Sequence, residues 1–461
     1  MSSPFAPSTD ATPPREGIAE RLAAMIRIPT ISVLRDETGL GVFDDFWTLL
    51  AAQYPLLHER LERERIGDLG VVYRWAPAAP SSAAPVVLMA HVDVVPVAGQ
   101  EDEWTVPPFE GRIADGLVWG RGALDDKGAL CTLLEAVENL LAEGWAPPCE
   151  VLLCLGGDEE DHGDAARLIA TTLAERGVRP QFVLDEGGAI TEIPFPGVSG
   201  AFAMVGLAEK GVMAVRLSTT GEGGHASAPS GLTAVGRIAR AVARLNRNPF
   251  RVHLPRTVQA LFAEIAEHAE PRFAGLYRAA SRLAPVTARL LPLIGTDGVV
   301  MVRTTLAATM VSGGSSANVL PSQASATLNI RINVGETTET VLARLRRVIA
   351  DPKVSVTALE ADDPTPESGT DNAAWALIGA AVASAYPGVA TLPYLTTAAT
   401  DGRHWHRFVP DVYRFMPLVT DDEQRAAIHG VNERVSIDSL QRGERFYRAL
   451  LRGLPAGGEH R

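Results

Sequence analysis

The sequence predicts an α/β protein: a mostly parallel sheet with helices on both faces, carrying an inserted α+β domain. Two observations predict it. Short, continuously apolar runs end directly in polar residues, at 86–90 before His91, at 151–155 before Asp158, and at 182–184 before Asp185. Helical patterns at 127–143 and 164–176 lie between and after them. Unbroken apolar strands alternating with helices imply a parallel sheet buried on both faces. In such sheets ligands gather at the carboxyl ends of the strands, which is where these polar residues stand.

Taken in order, 16–27 has helical spacing, with Ile18, Leu22, Ala23 and Ile26 on one face. A second helical stretch is expected over 43–64, a strand over 70–74 and a loop over the Pro/Ala/Ser-rich 76–85. After residue 211 the texture changes. Strands are expected at 212–218, 301–311 and 324–333, and helices at 231–246 and 336–349, with a long helical stretch over 257–291. The turn-rich segment near Asp362 returns the chain, and 371–461 resumes helix–strand alternation. The expected division is therefore 1–210 and 361–461 as one domain, and 211–360 as an insertion. No repeat of fixed period is present.

The chain has 461 residues, 46% hydrophobic and 21% charged, with a formal net charge of -13. These values describe an ordinary globular protein of two or three domains. The negative charge excludes a nucleic-acid partner, which would require a basic face. Three cysteines, Cys131, Cys149 and Cys154, do not suit a disulfide framework. The Pro/Ser/Thr/Ala-rich residues 1–16 lack a basic segment followed by an apolar stretch, so no secretory signal is expected. No run of about 18 apolar residues is present. A cytoplasmic setting without a membrane partner is the expectation.

Five short motifs carry polar chemistry. His91-Val92-Asp93 sets an imidazole beside a carboxylate able to orient it, although for the tripeptide alone a capped loop with a chance His and Asp is the better explanation. The segment 120–128 holds Asp125 and Asp126 in a Gly-rich frame before a helix; a helix cap needs only one Asp. Residues 158–161 are four consecutive carboxylates, whose mutual repulsion a cation would resolve; a solvated acidic loop is the alternative. Asp185-Glu186-Gly187-Gly188 and His429-Gly430 complete the set. Singly each is weak. Together they supply the imidazoles and carboxylates that a pair of zinc ions with a shared carboxylate requires.

These motifs, with Met89-Ala90 before His91, resemble those of the co-catalytic zinc metallopeptidases that include aminoacylase, acetylornithine deacetylase, succinyl-diaminopimelate desuccinylase, glutamate carboxypeptidase and carboxypeptidase S. The resemblance runs from about residue 16 to 451, and the 184–188 wording is most similar to the carboxypeptidase S and aminoacylase branch. It implies a catalytic domain and an inserted lid or dimerisation domain. It implies two zinc ions per chain, replaceable by cobalt or manganese, with His91, Asp125, Glu160 and His429 as ligands together with Glu186 or, alternatively, Asp185. Asp93 would orient His91, and Glu159 would be the general base. The motif 224–229 implies that His225 polarises the scissile carbonyl, in dimeric relatives from a neighbouring subunit. Asn318, Arg331 and Arg403 fall in segments that hold substrate. The implied substrate is a small peptide or N-acyl amino acid cleaved at the amide next to its free carboxylate, and a homodimer through the lid is an open option.

Other classes fit less well. The chain has no G-x-x-x-x-G-K-[ST] motif, no G-x-G-x-x-G after a strand and no G-x-S-x-G. A non-catalytic binding protein on the same scaffold is the alternative reading, since fold alone does not fix function.

Overall fold

The computed structural model describes residues 12–97, 99–229 and 231–455, so residues 1–11 of the amino-terminal tail lie outside it. The chain divides into two compact units. One comprises Met1–Leu207, Glu367–Tyr394 and Thr400–Arg461, the other Ala208–Pro366 and Leu395–Ala399.

The first unit is built on a nine-stranded mixed sheet. Its order is Glu62–Ile66, Gly70–Trp75, Val151–Gly156, Val86–His91, Phe182–Asp185, Val412–Arg414, Ala201–Glu209 and Ala390–Thr396, with Ile190–Glu192 paired to Ala201–Glu209. The four central strands, from Val151–Gly156 to Val412–Arg414, run parallel, and antiparallel pairs lie towards the edges. Burial explains the apolar runs. Leu88, Leu153, Leu155 and Leu184 point into the larger core, whereas Val87, Met89, Leu152, Cys154 and Val183 point into a second core on the opposite face. Alternation at period two thus persists, but both faces are apolar. Helix Lys127–Ala142 fills the first face and is buried nearly all round, its few charged side chains, Lys127, Glu135 and Glu138, included. Helix Asp164–Glu175 covers the other through Ile169 and Leu173. All three cysteines are buried and free.

The helix expected over 43–64 is three elements. Gly41–Gln53 ends at Tyr54, Pro55–Arg60 begins on proline, and Glu62–Ile66 is a strand. Proline fits the first turn of a helix and breaks the preceding one. The charged residues of Glu62–Ile66 read as a helix surface because an exposed edge strand has no apolar alternation to reveal it.

In the second unit an antiparallel sheet has the order Thr305–Ser312, Gln323–Ile332, Gly211–Thr220, Ser355–Ala361. Met213, Val215, Leu217, Leu328 and Ile330 pack on Ile238 and Leu245 of helix Ala234–Arg247 and on Val341 and Leu345 of helix Thr338–Ile349. Thr233 and Thr337 cap these helices. The stretch expected as one helix, 257–291, is three, Arg256–His268, Pro271–Arg282 and Ala284–Leu290, broken where Pro271 and Pro285 open new first turns. The strand expected over 301–311 starts only at Thr305, because Thr296–Val302 is helical. No helix among the described residues is long and apolar enough to cross a membrane.

Candidate metal centre

Parallel pairing brings the motifs to one edge of the first unit's sheet. His91 is the last residue of its strand and lies opposite Gly156, whose strand leads into 158–161. Leu184 pairs with Leu88, which sets Asp185 and Glu186 at the same edge. His429 arrives from the carboxyl-terminal segment with φ 59°, in the left-handed region. A non-glycine residue is held there only when its surroundings dictate it.

Two groups of donors result. His91, Asp125 and Glu186 form one, and Asp125, Glu160 and His429 the other; within each group the donor atoms lie within 4.8 Å of one another. Asp125 serves both. Its Oδ1 is 2.9 Å from His91 Nε2 and its Oδ2 is 3.1 Å from His429 Nε2. His429 Nε2 also lies 3.1 Å from Glu160 Oε1, and His91 Nε2 lies 3.9 Å from Glu186 Oε1. Imidazole nitrogens with carboxylate oxygens, three to a group around one shared carboxylate, fit a pair of divalent cations of the zinc type. Calcium would ask for more oxygens and no imidazole.

The charges tell the same story. Burial works against a cationic His91, yet hydrogen bonds to Asp125 and Asp93 hold its pKa well above the usual range. Hydrogen bonding to Asp125 and Glu160 raises His429 to about 10. Asp125, despite burial, is drawn far down by His429 and His91. Burial, with Asp125 among the neighbours, pushes Glu186 and Glu159 well above the carboxylate range. Crowded buried acids of this kind require cations to ionise together.

Asp93, fully buried, organises the edge. His91 Nδ1 lies 3.1 Å from the Asp93 carbonyl and 3.2 Å from Oδ1. The Asp93 carboxylate also accepts from Ser32 Oγ at 2.6 Å and from the backbone N–H groups of Glu159 and Glu160 at 3.1 Å. The four-acid run is dispersed by distinct partners. Asp158 accepts from Ala165 N at 2.9 Å, at the start of the next helix, and burial lifts its pKa to about 6. Asp161 pairs with Arg35. Glu160 faces His429, and Glu159 belongs to neither donor group.

Asp126 sits at the N-cap of Lys127–Ala142 without capping it through its side chain. It accepts instead from His91 N at 3.1 Å, so both aspartates serve the edge rather than the helix. Glu186, directly after strand Phe182–Asp185, is the acid of that motif that joins a donor group. Asp185, the alternative, belongs to neither group; its buried carboxylate accepts from the backbone N–H of Gly402. The guanidinium of Arg403 donates to the carbonyls of Thr400 at 2.8 Å and His162 at 2.9 Å, which braces the acidic loop. His225, Asn318 and Arg331 stand in the second unit. His225 is exposed and pairs with Val319, its Nδ1 2.7 Å from Ser227 Oγ; Ala226 N donates to Asn318 O at 3.0 Å. Arg331 is half-buried in Gln323–Ile332, where burial lowers its pKa.

Sequence reasoning passed over Ser32, Arg121 and Glu433. Glu433 lies four residues after His429, and a carboxylate so close to that motif was the available signal.

Residues 87–453 match the pattern of peptidase family M20/M25/M40. The chain is 33% identical to a probable carboxypeptidase S-like 2 of Dictyostelium discoideum over 446 residues, covering 94% of this chain and 84% of that protein. It is 32% identical to the human N-fatty-acyl-amino acid synthase/hydrolase PM20D1 over 454 residues, covering 96% and 89%. Its fold is similar to that of an M20 family metallo-carboxypeptidase from Sulfolobus solfataricus, with a TM-score of 0.68 at 17% identity over 95% and 99% of the two chains. With the family pattern covering most of its length and both donor groups at the carboxyl edge of its sheet, the chain belongs to peptidase family M20/M25/M40 and is a metallohydrolase of that family.

Proposed function

We propose that this protein hydrolyses an amide bond adjoining a free carboxylate, in a small peptide or an N-acyl amino acid, with two zinc ions per chain. The single observation that carries the reading is the pair of donor groups sharing Asp125. His91, Asp125 and Glu186 would hold one ion, and Asp125, Glu160 and His429 the other. When bound, such ions supply Lewis acidity towards a carbonyl oxygen and towards a water molecule.

The chain's own residues do the rest. Glu159, among the ligands but outside both groups, takes a proton from the attacking water as the C–O bond forms. It returns that proton to the amine nitrogen as the C–N bond breaks. The surrounding acids and burial that raise its pKa favour a carboxylate able to hold the proton in between. Asp93 fixes the imidazole of His91 and the turn that carries Glu159 and Glu160. His225 is assigned the oxyanion and Arg331, with Asn318, the substrate's carboxylate and carbonyl; the support is their motif resemblance and the pairing that fixes 225 beside 319. A planar guanidinium suits a carboxylate bidentately. The exposed edge strand Thr305–Ser312, with Met310 and Val311 open to solvent, supports a homodimer through this unit.

The test is a panel of N-acyl amino acids and dipeptides assayed with zinc, cobalt and manganese. Turnover on a member of the panel is expected, and Glu159→Gln should keep its metal content while losing about 100-fold or more in kcat. Unchanged kcat in that variant removes Glu159 as the base.

A further inference from the structure

We infer that Arg121 and Glu433 form a buried clamp whose task is to present Asp125 and His429 together, making them positioning residues for both metal pockets. The inference rests on the metal-ligand reading above. Glu433 is 0% exposed and Arg121 1%, and the two are 312 positions apart. Arg121 Nη1 donates to Glu433 Oε2 at 2.7 Å. The same carboxylate accepts from the backbone N–H groups of Gly122 at 3.0 Å, Leu124 at 2.7 Å and Asp125 at 3.0 Å. Arg121 Nη2 reaches back to the carbonyl of Gly430 at 2.7 Å, and Gly120 N donates to Glu433 O at 2.9 Å. The guanidinium lies over the Trp104 ring, 5.4 Å from its centroid.

Four donors converge on a carboxylate that offers about four acceptor sites, so Glu433 is saturated by the loop that carries Asp125. In turn Arg121, from that loop, grips the residue next to His429. Neither contact touches a reacting atom. Both fix the backbone from which the shared ligand and one private ligand project.

A buried ion pair is weak evidence for stability, since desolvation offsets its attraction; its best-attested use is to fix register. Register is what this site needs. His429 projects from a segment with His429 and Asn432 both in the left-handed region, at φ 59° and 62°, and Asn432 Oδ1 accepts from Thr105 N at 2.7 Å. Apart from the contact between His429 and Asp125 themselves, the clamp is the one charged tie between the two loops among the bonds described.

The experiment measures stepwise zinc affinity by chelator competition in wild type, Glu433→Gln and Arg121→Lys, with circular dichroism and thermal unfolding of each metal-free protein. Glutamine offers one acceptor oxygen for four donors. Lysine keeps the charge opposite Glu433 and loses the second arm to Gly430. Both variants are expected to fold and to bind the weaker zinc at least tenfold less tightly, with a smaller loss at the tighter site. Zinc affinities equal to wild type in both variants overturn the clamp alone. Failure of both to fold also overturns it, because the pair would then be a general core support. A wild-type chain that binds no zinc overturns the hydrolase reading and the clamp with it.

Discussion

Asp93 shows how much one buried carboxylate can be asked to do. It meets His91 on one side and the N–H groups of Glu159 and Glu160 on the other, with Ser32 closing the set. A second partner of this kind on a ligating histidine is typically worth 10–100-fold in metal affinity. Asp93→Asn should therefore weaken zinc binding by about that factor in a chelator competition, because its amide cannot accept from all these donors. Binding within twofold of wild type would show that the backbone alone orients His91. At this scale the donor residues His91 and Glu186 were legible in sequence because they end or directly follow an apolar strand, whereas Asp125, Glu160 and His429 stood out only through the motifs around them. Asp185 and Glu186 were not separable, since adjacent residues at a strand end differ only in which way the chain turns. Arg121 and Glu433 stayed hidden because their meaning exists only when residues more than 300 positions apart meet.

The elements behave as their chemistry dictates, and one of them makes the protein sensitive to acid. The short helix Asp401–Arg407 buries His404 and His406, 4% and 7% exposed. Burial, with Arg403, Arg407 and Arg167 nearby and Asp164 opposing, lowers His404 to about 3. Burial and Arg414 lower His406 to about 2. Both are neutral in the fold and gain protons readily once unfolded, near pH 6.5. The unfolded state thus binds more protons below that value, and stability falls as pH drops from about 6.5 towards 3. At pH 5 the loss amounts to about 2 kcal/mol per histidine. Urea midpoints at pH 7.5 and pH 5 should show a smaller drop in His404→Gln than in wild type; an identical drop would place the sensitivity elsewhere. Elements with strong periodicity or two apolar faces were read correctly. The misreadings fell at prolines, where helices restart without a gap, and at Glu62–Ile66, whose polar exposed face carries no strand pattern.

In the whole molecule, the sheet order decides everything else. Parallel central strands set His91, the 158–161 turn and Glu186 on one edge, and the returning carboxyl-terminal segment adds His429. The sequence predicted this architecture because apolar runs buried on both faces leave few alternatives. It could not place the antiparallel edges or the strand Ala201–Glu209, whose neighbours come from distant segments. A cation bound by the folded chain alone also stabilises it by mass action, so metal content and fold are one linked property. The most direct measurement is the zinc content of the purified chain against that of Asp125→Ala, by elemental analysis after equilibration with equal free zinc. Two zinc ions per wild-type chain are predicted, falling to one or fewer in the variant, since both donor groups lose the same residue. A wild-type chain with fewer than two ions, or a variant that keeps both, contradicts a centre built around Asp125.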